Sequence, residues 1–170
     1  MSSQESVPPL LLPRALYWQM VQHARAENPR EACGLIAGQG GRPVRIFPAR
    51  NIDRQPVVRY QMHPQDIIAF DRELEAHGWQ WLGIYHSHSF SEAYPSPTDI
   101  ANAVSALSPS LLYLILSLQA ENEEQRLATV RLGGQPVITL AQRQLIPPVL
   151  RAFTINDGTV QEVPVVLVDE

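Results

Sequence analysis

Cysteine is nearly absent from this chain. Cys33 stands alone among 170 residues, so no intrachain disulfide can form, which fits a reducing compartment. One cysteine also excludes a zinc deaminase, whose pattern needs Pro-Cys-x-x-Cys beside His-x-Glu. Long hydrophobic runs are missing too. The longest strongly apolar stretch, LLYLILSL from Leu111 to Leu118, falls far short of the roughly 18 residues that read as a membrane span, so no membrane partner is expected. Positive charge is not in excess. The net charge is −4 and no basic patch stands out, which excludes the electrostatic footprint of a nucleic-acid binder. The densest acidic block, Glu121 to Glu124 (ENEE), reads as a solvated turn.

What is present describes a soluble globular chain, with 45% apolar and 18% charged residues. The start, MSSQESVPPLLLP, has no basic leader and is broken by prolines, so no signal peptide is expected. Residues 1–12 are expected to be a disordered tail, residues 13–170 a single domain, and the location cytoplasmic. The sequence carries no signal for oligomeric state.

Periodicity predicts a helix over residues 13–29, opened by proline, with Leu16, Met20, His23 and Ala24 at helical spacing. Strands are predicted at 31–39, 42–51 and 56–62. A second helix runs from Pro64 to a stop at Gly78, with Ile67, Ile68 and Leu74 on one face. A strand over 79–88 and a helix over 96–107 follow. The strand at 111–118 is apolar on both faces, hence central. Further strands are predicted at 126–134 and 136–146. A hairpin over 151–168 turns at Asn156-Asp157-Gly158. This order predicts a mixed α/β domain with a central sheet flanked by helices.

The chemistry concentrates between Gly83 and Ile100 (GIYHSHSFSEAYPSPTDI). Residues two apart on a strand face the same way, so His86 and His88 form a natural pair of imidazole ligands. Asp99 returns a carboxylate eleven positions later, on the first turn of a helix. Three protein ligands with a fourth position left to water is the pattern of catalytic zinc, and two imidazoles with one carboxylate suit zinc better than magnesium or calcium. Ser96-Pro97-Thr98-Asp99 is equally a good helix start. Alone, that fragment favours a cap over a ligand, but a capping serine can still present its hydroxyl to a site. Cys33, in an apolar strand, reads as a buried inert thiol. His23 and His77 read as structural, His63 as a turn residue, and Trp79 and Trp81 as core or sheet surface.

These residues resemble the JAMM (MPN+) metallopeptidases. The family's pattern is an upstream glutamate, His-Ser/Thr-His, seven residues, then Ser-x-x-Asp. This chain has Glu31, His86-Ser87-His88, seven residues, and Ser96-Pro97-Thr98-Asp99. The stretch NPREACGLIAGQG also resembles the family's first strand. Ser89 departs from the pattern, standing where a proline commonly follows the second histidine. The resemblance implies an MPN/JAMM, cytidine-deaminase-like fold and one Zn2+ per chain held by His86, His88 and Asp99. It implies Glu31 as general base and Ser96 as oxyanion donor. The implied activity is hydrolysis of peptide or isopeptide bonds at the C-terminal Gly-Gly tail of ubiquitin-like or sulfur-carrier proteins. The substrate tail is expected to lie between the loop Ser89 to Pro95 and the segment Tyr60 to Met62. The alternative is a non-catalytic MPN scaffold module, whose members usually lose ligands.

Overall fold

A computed structural model of the chain describes residues 7–103, 110–128, 131–132, 135–136 and 147–169. The elements run β1 (Leu10–Pro13), α1 (Arg14–Glu27), β2 (Cys33–Gln39), β3 (Arg42–Ala49), α2 (Pro64–His77), β4 (Gln80–His88), α3 (Pro97–Asn102) and β5 (Leu112–Ser117). Then come α4 (Gln119–Ala128), β6 (Arg131–Leu132), β7 (Gln135–Pro136), β8 (Val149–Asn156), β9 (Thr159–Val163) and β10 (Val165–Val168). The main sheet has the order β3-β2-β4-β5-β8-β9. It is mixed: β4 and β5 are parallel, and the other pairs are antiparallel.

Strand alternation divides the side chains between two cores. On one face Ile36, Tyr85, Leu114 and Leu116 pack with Leu16, Met20 and Val21 of α1. On the other, Leu35, Ile84 and Tyr113 pack with Phe70 of α2. The central position predicted for β5 follows from its apolar residues on both faces. The α2 stripe is Ile67, Phe70 and Leu74, because helical neighbours lie three and four apart. Ile68, expected on that face, is exposed.

Four other expectations differ. Leu10 to Leu12 do not belong to a disordered tail: β1 pairs in parallel with β10, and Leu12 is fully buried. Segment 56–62 is not a strand and makes one isolated bridge, Asn51 to Met62. Its backbone bonds to a side chain instead: Asn51 Nδ2 donates to the Arg59 carbonyl (2.9 Å) and Asn51 Oδ1 accepts from the Gln61 amide (3.1 Å). Glu121 to Glu124 are helical, within α4. An acid in the first turn complements the helix dipole, and Glu121 pairs with Arg25 of α1. Of the described residues in the strand expected at 126–134, 126–128 end α4 and Arg131–Leu132 are extended; 129–130 and 133–134 lie outside the described residues. Residues 104–107 and 137–146 of other predicted elements lie outside the described residues. The hairpin turn matches its reading: Asp157 and Gly158 both have positive φ, 48° and 78°, as a type I′ turn requires.

Gly34 has a steric reason. A Cβ there would lie 2.3 Å from Cε1 of Tyr85, whose ring is buried and whose hydroxyl bonds His23 Nδ1 at 2.9 Å. Gly34→Ala is expected to cost about 1–3 kcal/mol by overpacking, seen as a lower urea midpoint with an unchanged slope.

Candidate metal centre

The site forms where β4 ends. Its last residues, His86 and His88, point to the α2 side of the sheet, on the same face as Ile84. The crossover from β4 to the parallel strand β5 passes through α3, which brings the α3 N-terminus back over the strand end. Ligands in α/β sheets collect at such carboxyl ends.

Ser96 caps α3 by accepting from the Asp99 amide (3.1 Å), and Asp99 Oδ2 accepts from the Ser96 amide (2.8 Å). This capping box fixes the Asp99 rotamer. The same Oδ2 lies 3.3 Å from His86 Nε2 and 3.3 Å from His88 Nε2. The two Nε2 atoms are 3.0 Å apart. Cap and ligand readings of Ser96 to Asp99 therefore coexist in one turn.

Three donor atoms this close fit a metal ion. A point roughly 2 Å from all three exists, the length of zinc bonds to imidazole nitrogen and carboxylate oxygen. His88 Nδ1 faces the Glu92 carbonyl at 2.8 Å, which sets the tautomer that frees Nε2 for a ligand role. Burial lowers the His86 pKa. For His88 burial opposes, but Asp99 and the Glu92 carbonyl outweigh it and raise the pKa. Burial alone would raise the Asp99 pKa, yet the two imidazoles and the Ser96 amide hold it well below the carboxylate range.

Glu31 lies just before β2. Cys33 pairs with His86, and Ala32 exchanges bonds with Ser87, its amide donating to Ser87 Oγ at 2.8 Å. That register sets Glu31 opposite His88. The Glu31 carboxylate is buried, and its Oε2 has no hydrogen-bond partner among the described residues. Burial pushes its pKa up to about 8; the His88 charge opposes the rise, and Asp99 and Asp53 add to it. An unpartnered buried carboxylate oxygen beside this His-His-Asp group is chemically suited to hold a water or a proton. All five residues singled out in the sequence thus meet at the end of β4.

Beside the cluster lies a groove of about 600 Å³. Tyr60, Met62, Ile67 and Trp81 line one part, and Thr98 and Asn102 of α3 another. Tyr60 stacks on His86, with ring centroids 4.6 Å apart. The loop Ser89 to Pro95 does not line this groove; its Glu92 and Ala93 line a separate cavity of about 220 Å³. Ser89 is buried, and its hydroxyl donates to the Pro29 carbonyl at 3.0 Å. Trp81 is partly core and partly groove. His63 caps α2, accepting from the Gln65 amide. Cys33 is fully buried, and burial pushes its pKa up to about 12.

The sequence family described as prokaryotic homologs of the JAB domain matches residues 13–130. The chain belongs to that family. The JAMM resemblance read from Glu31, His86, His88, Ser96 and Asp99 therefore holds at family level. This JAB-domain chain is 32% identical over 153 residues to a CysO-cysteine peptidase of Mycobacterium tuberculosis, covering 89% of this chain and 86% of that protein. It is 38% identical over 95 residues to a probable TtuB-protein conjugate cleaving protease of Thermus thermophilus, covering 55% of this chain and 63% of that one. A solved Desulfitobacterium hafniense protein superposes with a TM-score of 0.69 at 30% identity, over 95% of this chain and 94% of the other. Among the described residues of this JAB-domain chain, no helix is long and apolar enough to cross a membrane.

Two residues near the site gave no sequence signal. Asn51 bonds the main chain on both sides of Tyr60. Asn122 of α4 donates to the Ser89 carbonyl at 2.6 Å and pairs with Asn28. Both act through residues far along the chain, which periodicity does not record.

Proposed function

We propose that this JAB-domain protein is a zinc metallopeptidase. It hydrolyses the peptide or isopeptide bond that follows the C-terminal Gly-Gly tail of ubiquitin-like or sulfur-carrier proteins. The observation that carries the reading is the convergence of His86, His88 and Asp99 within 4.8 Å, with the unpartnered Glu31 carboxylate oxygen across the strand pair. The names of the relatives, a peptidase and a conjugate-cleaving protease, support the reaction class. A non-catalytic scaffold has no need to keep such a cluster complete.

His86 Nε2, His88 Nε2 and Asp99 Oδ2 would hold the ion. Bound zinc lowers the pKa of water and polarises a carbonyl. Glu31 takes the proton from the attacking water at Oε2 and returns it to the leaving amine. A carboxylate whose pKa burial sets at about 8 is matched to that exchange near neutral pH. The Ser96 oxygen already accepts from the Asp99 amide; its own O–H hydrogen remains to donate where negative charge develops. The groove between Tyr60 and α3 receives the tail in extended form, a mode that favours backbone bonding and small residues near the cut.

Two substrates test this. One is a ubiquitin-like protein extended past Gly-Gly by one residue or joined to a lysine; the other has Val-Val in place of the glycines. Cleavage is expected only with the glycines, to stop with a chelator and to return with zinc. Equal cutting of both would mean a general peptidase. No cutting, with no zinc in the purified protein, would favour the scaffold.

Ser96→Ala is expected to lower turnover on the order of a hundredfold if the hydroxyl serves the oxyanion. It should also cost about 1 kcal/mol of stability through the lost cap. A stability loss with an unchanged rate per folded molecule would leave Ser96 as a cap only.

A further inference from the structure

Asn51 is buried, with 6% of its surface exposed, and every polar hydrogen and lone-pair direction of its side chain is engaged. Its Nδ2 donates to the Glu31 carbonyl at 3.0 Å and to the Arg59 carbonyl at 2.9 Å, with Pro56 O farther off at 3.4 Å. Its Oδ1 accepts from the amides of Asp53 at 3.0 Å and Gln61 at 3.1 Å. One side chain therefore bonds the proposed base and both neighbours of Tyr60, the residue stacked on His86.

Glu31 depends on this support because it precedes the first ladder residue of β2. Its amide donates to the Pro56 carbonyl at 2.7 Å, and its carbonyl accepts from Asn51. Both main-chain groups of Glu31 are thus held by segment 51–59, not by a strand. A side-chain amide has the acceptor of a peptide group and a second N–H, and Asn51 uses both hydrogens and its oxygen in place of the ladder that segment 56–62 lacks.

We propose that Asn51 is a positioning residue that sets Glu31 and the Tyr60 wall of the groove in register with the metal cluster. This rests on the reading of Glu31 as general base. Asn51→Ala removes both halves of the support, so it lowers kcat and raises KM together. Asn51→Asp has the same shape and keeps an acceptor for Asp53 and Gln61, but an ionised carboxylate offers no N–H to the Glu31 or Arg59 carbonyl. The Gln61 side of the wall stays held, so kcat falls as in Asn51→Ala and KM rises less.

The experiment compares both variants with Leu12→Ala, a core truncation in β1 remote from the groove. The substrate is ubiquitin extended past Gly-Gly by one cysteine. Expected are one zinc per chain in all four proteins and a fall in kcat/KM on the order of 10–100-fold in both Asn51 variants. That size is the loss seen when groups orienting a metal site are removed. Leu12→Ala should match the wild type per folded molecule. Amide hydrogen exchange on the metal-free proteins gives a readout independent of cleavage. Protection at Asp53 and Gln61, whose amides donate to Asn51 Oδ1, is lost in Asn51→Ala, whereas Asn51→Asp keeps both protected; in Leu12→Ala neither is selectively lost. If the wild type does not cleave, the functional reading fails and exchange still decides the role of Asn51. Wild-type protection at Asp53 and Gln61 in Asn51→Ala, or an equal kcat/KM loss in Leu12→Ala, overturns the proposal.

Discussion

Glu31→Gln is expected to lose turnover by about a hundred- to ten-thousand-fold, the usual worth of general-base help, while keeping zinc and fold. The amide has the shape of the carboxylate but cannot accept the proton at Oε2. The atoms that would hold the ion belong to His86, His88 and Asp99, so metal content is expected to stay at one per chain. Steady-state rates with metal analysis check both halves, and near-normal activity would remove Glu31 from the mechanism. A second signature appears in chelator-treated protein. Burial raises the Glu31 pKa from an ordinary 4.5 to about 8 in the fold. Between those values the unfolded chain has released the proton and the folded chain still holds it. Stability from this group is therefore full below 4.5 and falls as pH rises toward 8. Glu31→Gln lacks this slope, so urea denaturation should show the variant gaining on the wild type across that window.

His88→Ala is expected to strip the metal and abolish cleavage. Two remaining ligands do not close a zinc site, which takes three protein ligands even when a fourth position is left to water. The imidazole also receives support that alanine cannot use, the 2.8 Å bond from Nδ1 to the Glu92 carbonyl. The fold should survive, because the core on this face is carried by Leu35, Phe70, Ile84 and Tyr113. Elemental analysis and far-UV circular dichroism separate the two effects. Full zinc occupancy in this variant would remove His88 from the ligand set.

Much of the site was legible from local rules. The shared face of His86 and His88 follows from the period of a strand, and β4 ends on them. Ser96 and Asp99 form the capping box their spacing predicts. The inertness of Cys33 follows from its apolar surroundings. Other readings failed where a distant residue decided. Val57 and Val58 in segment 56–62 look strand-like, yet they are exposed in a turn whose Val58 and Arg59 amides close on the Gln55 carbonyl, and Asn51 bonds the main chain that follows. The acids of ENEE look like a turn, but Arg25 of α1 pairs with Glu121 and Asn28, the C-cap of α1, bonds Asn122 of the helix that forms there. Leu10 to Leu12 look like a tail until β10 supplies a parallel partner.

By itself, the sequence determined the identity and local placement of the candidate ligands: two histidines on one strand face and a carboxylate on the first turn of a capped helix. Those relations span a few residues and are set by backbone geometry, which side-chain type reports directly. Only the tertiary structure decided that Glu31 meets them. The bond from the Ala32 amide to Ser87 Oγ joins residues 55 positions apart, and β2 lies beside β4 only because the sheet order puts it there. The elevated Glu31 pKa is likewise a tertiary property, because desolvation depends on what packs around a group and not on its neighbours in the chain.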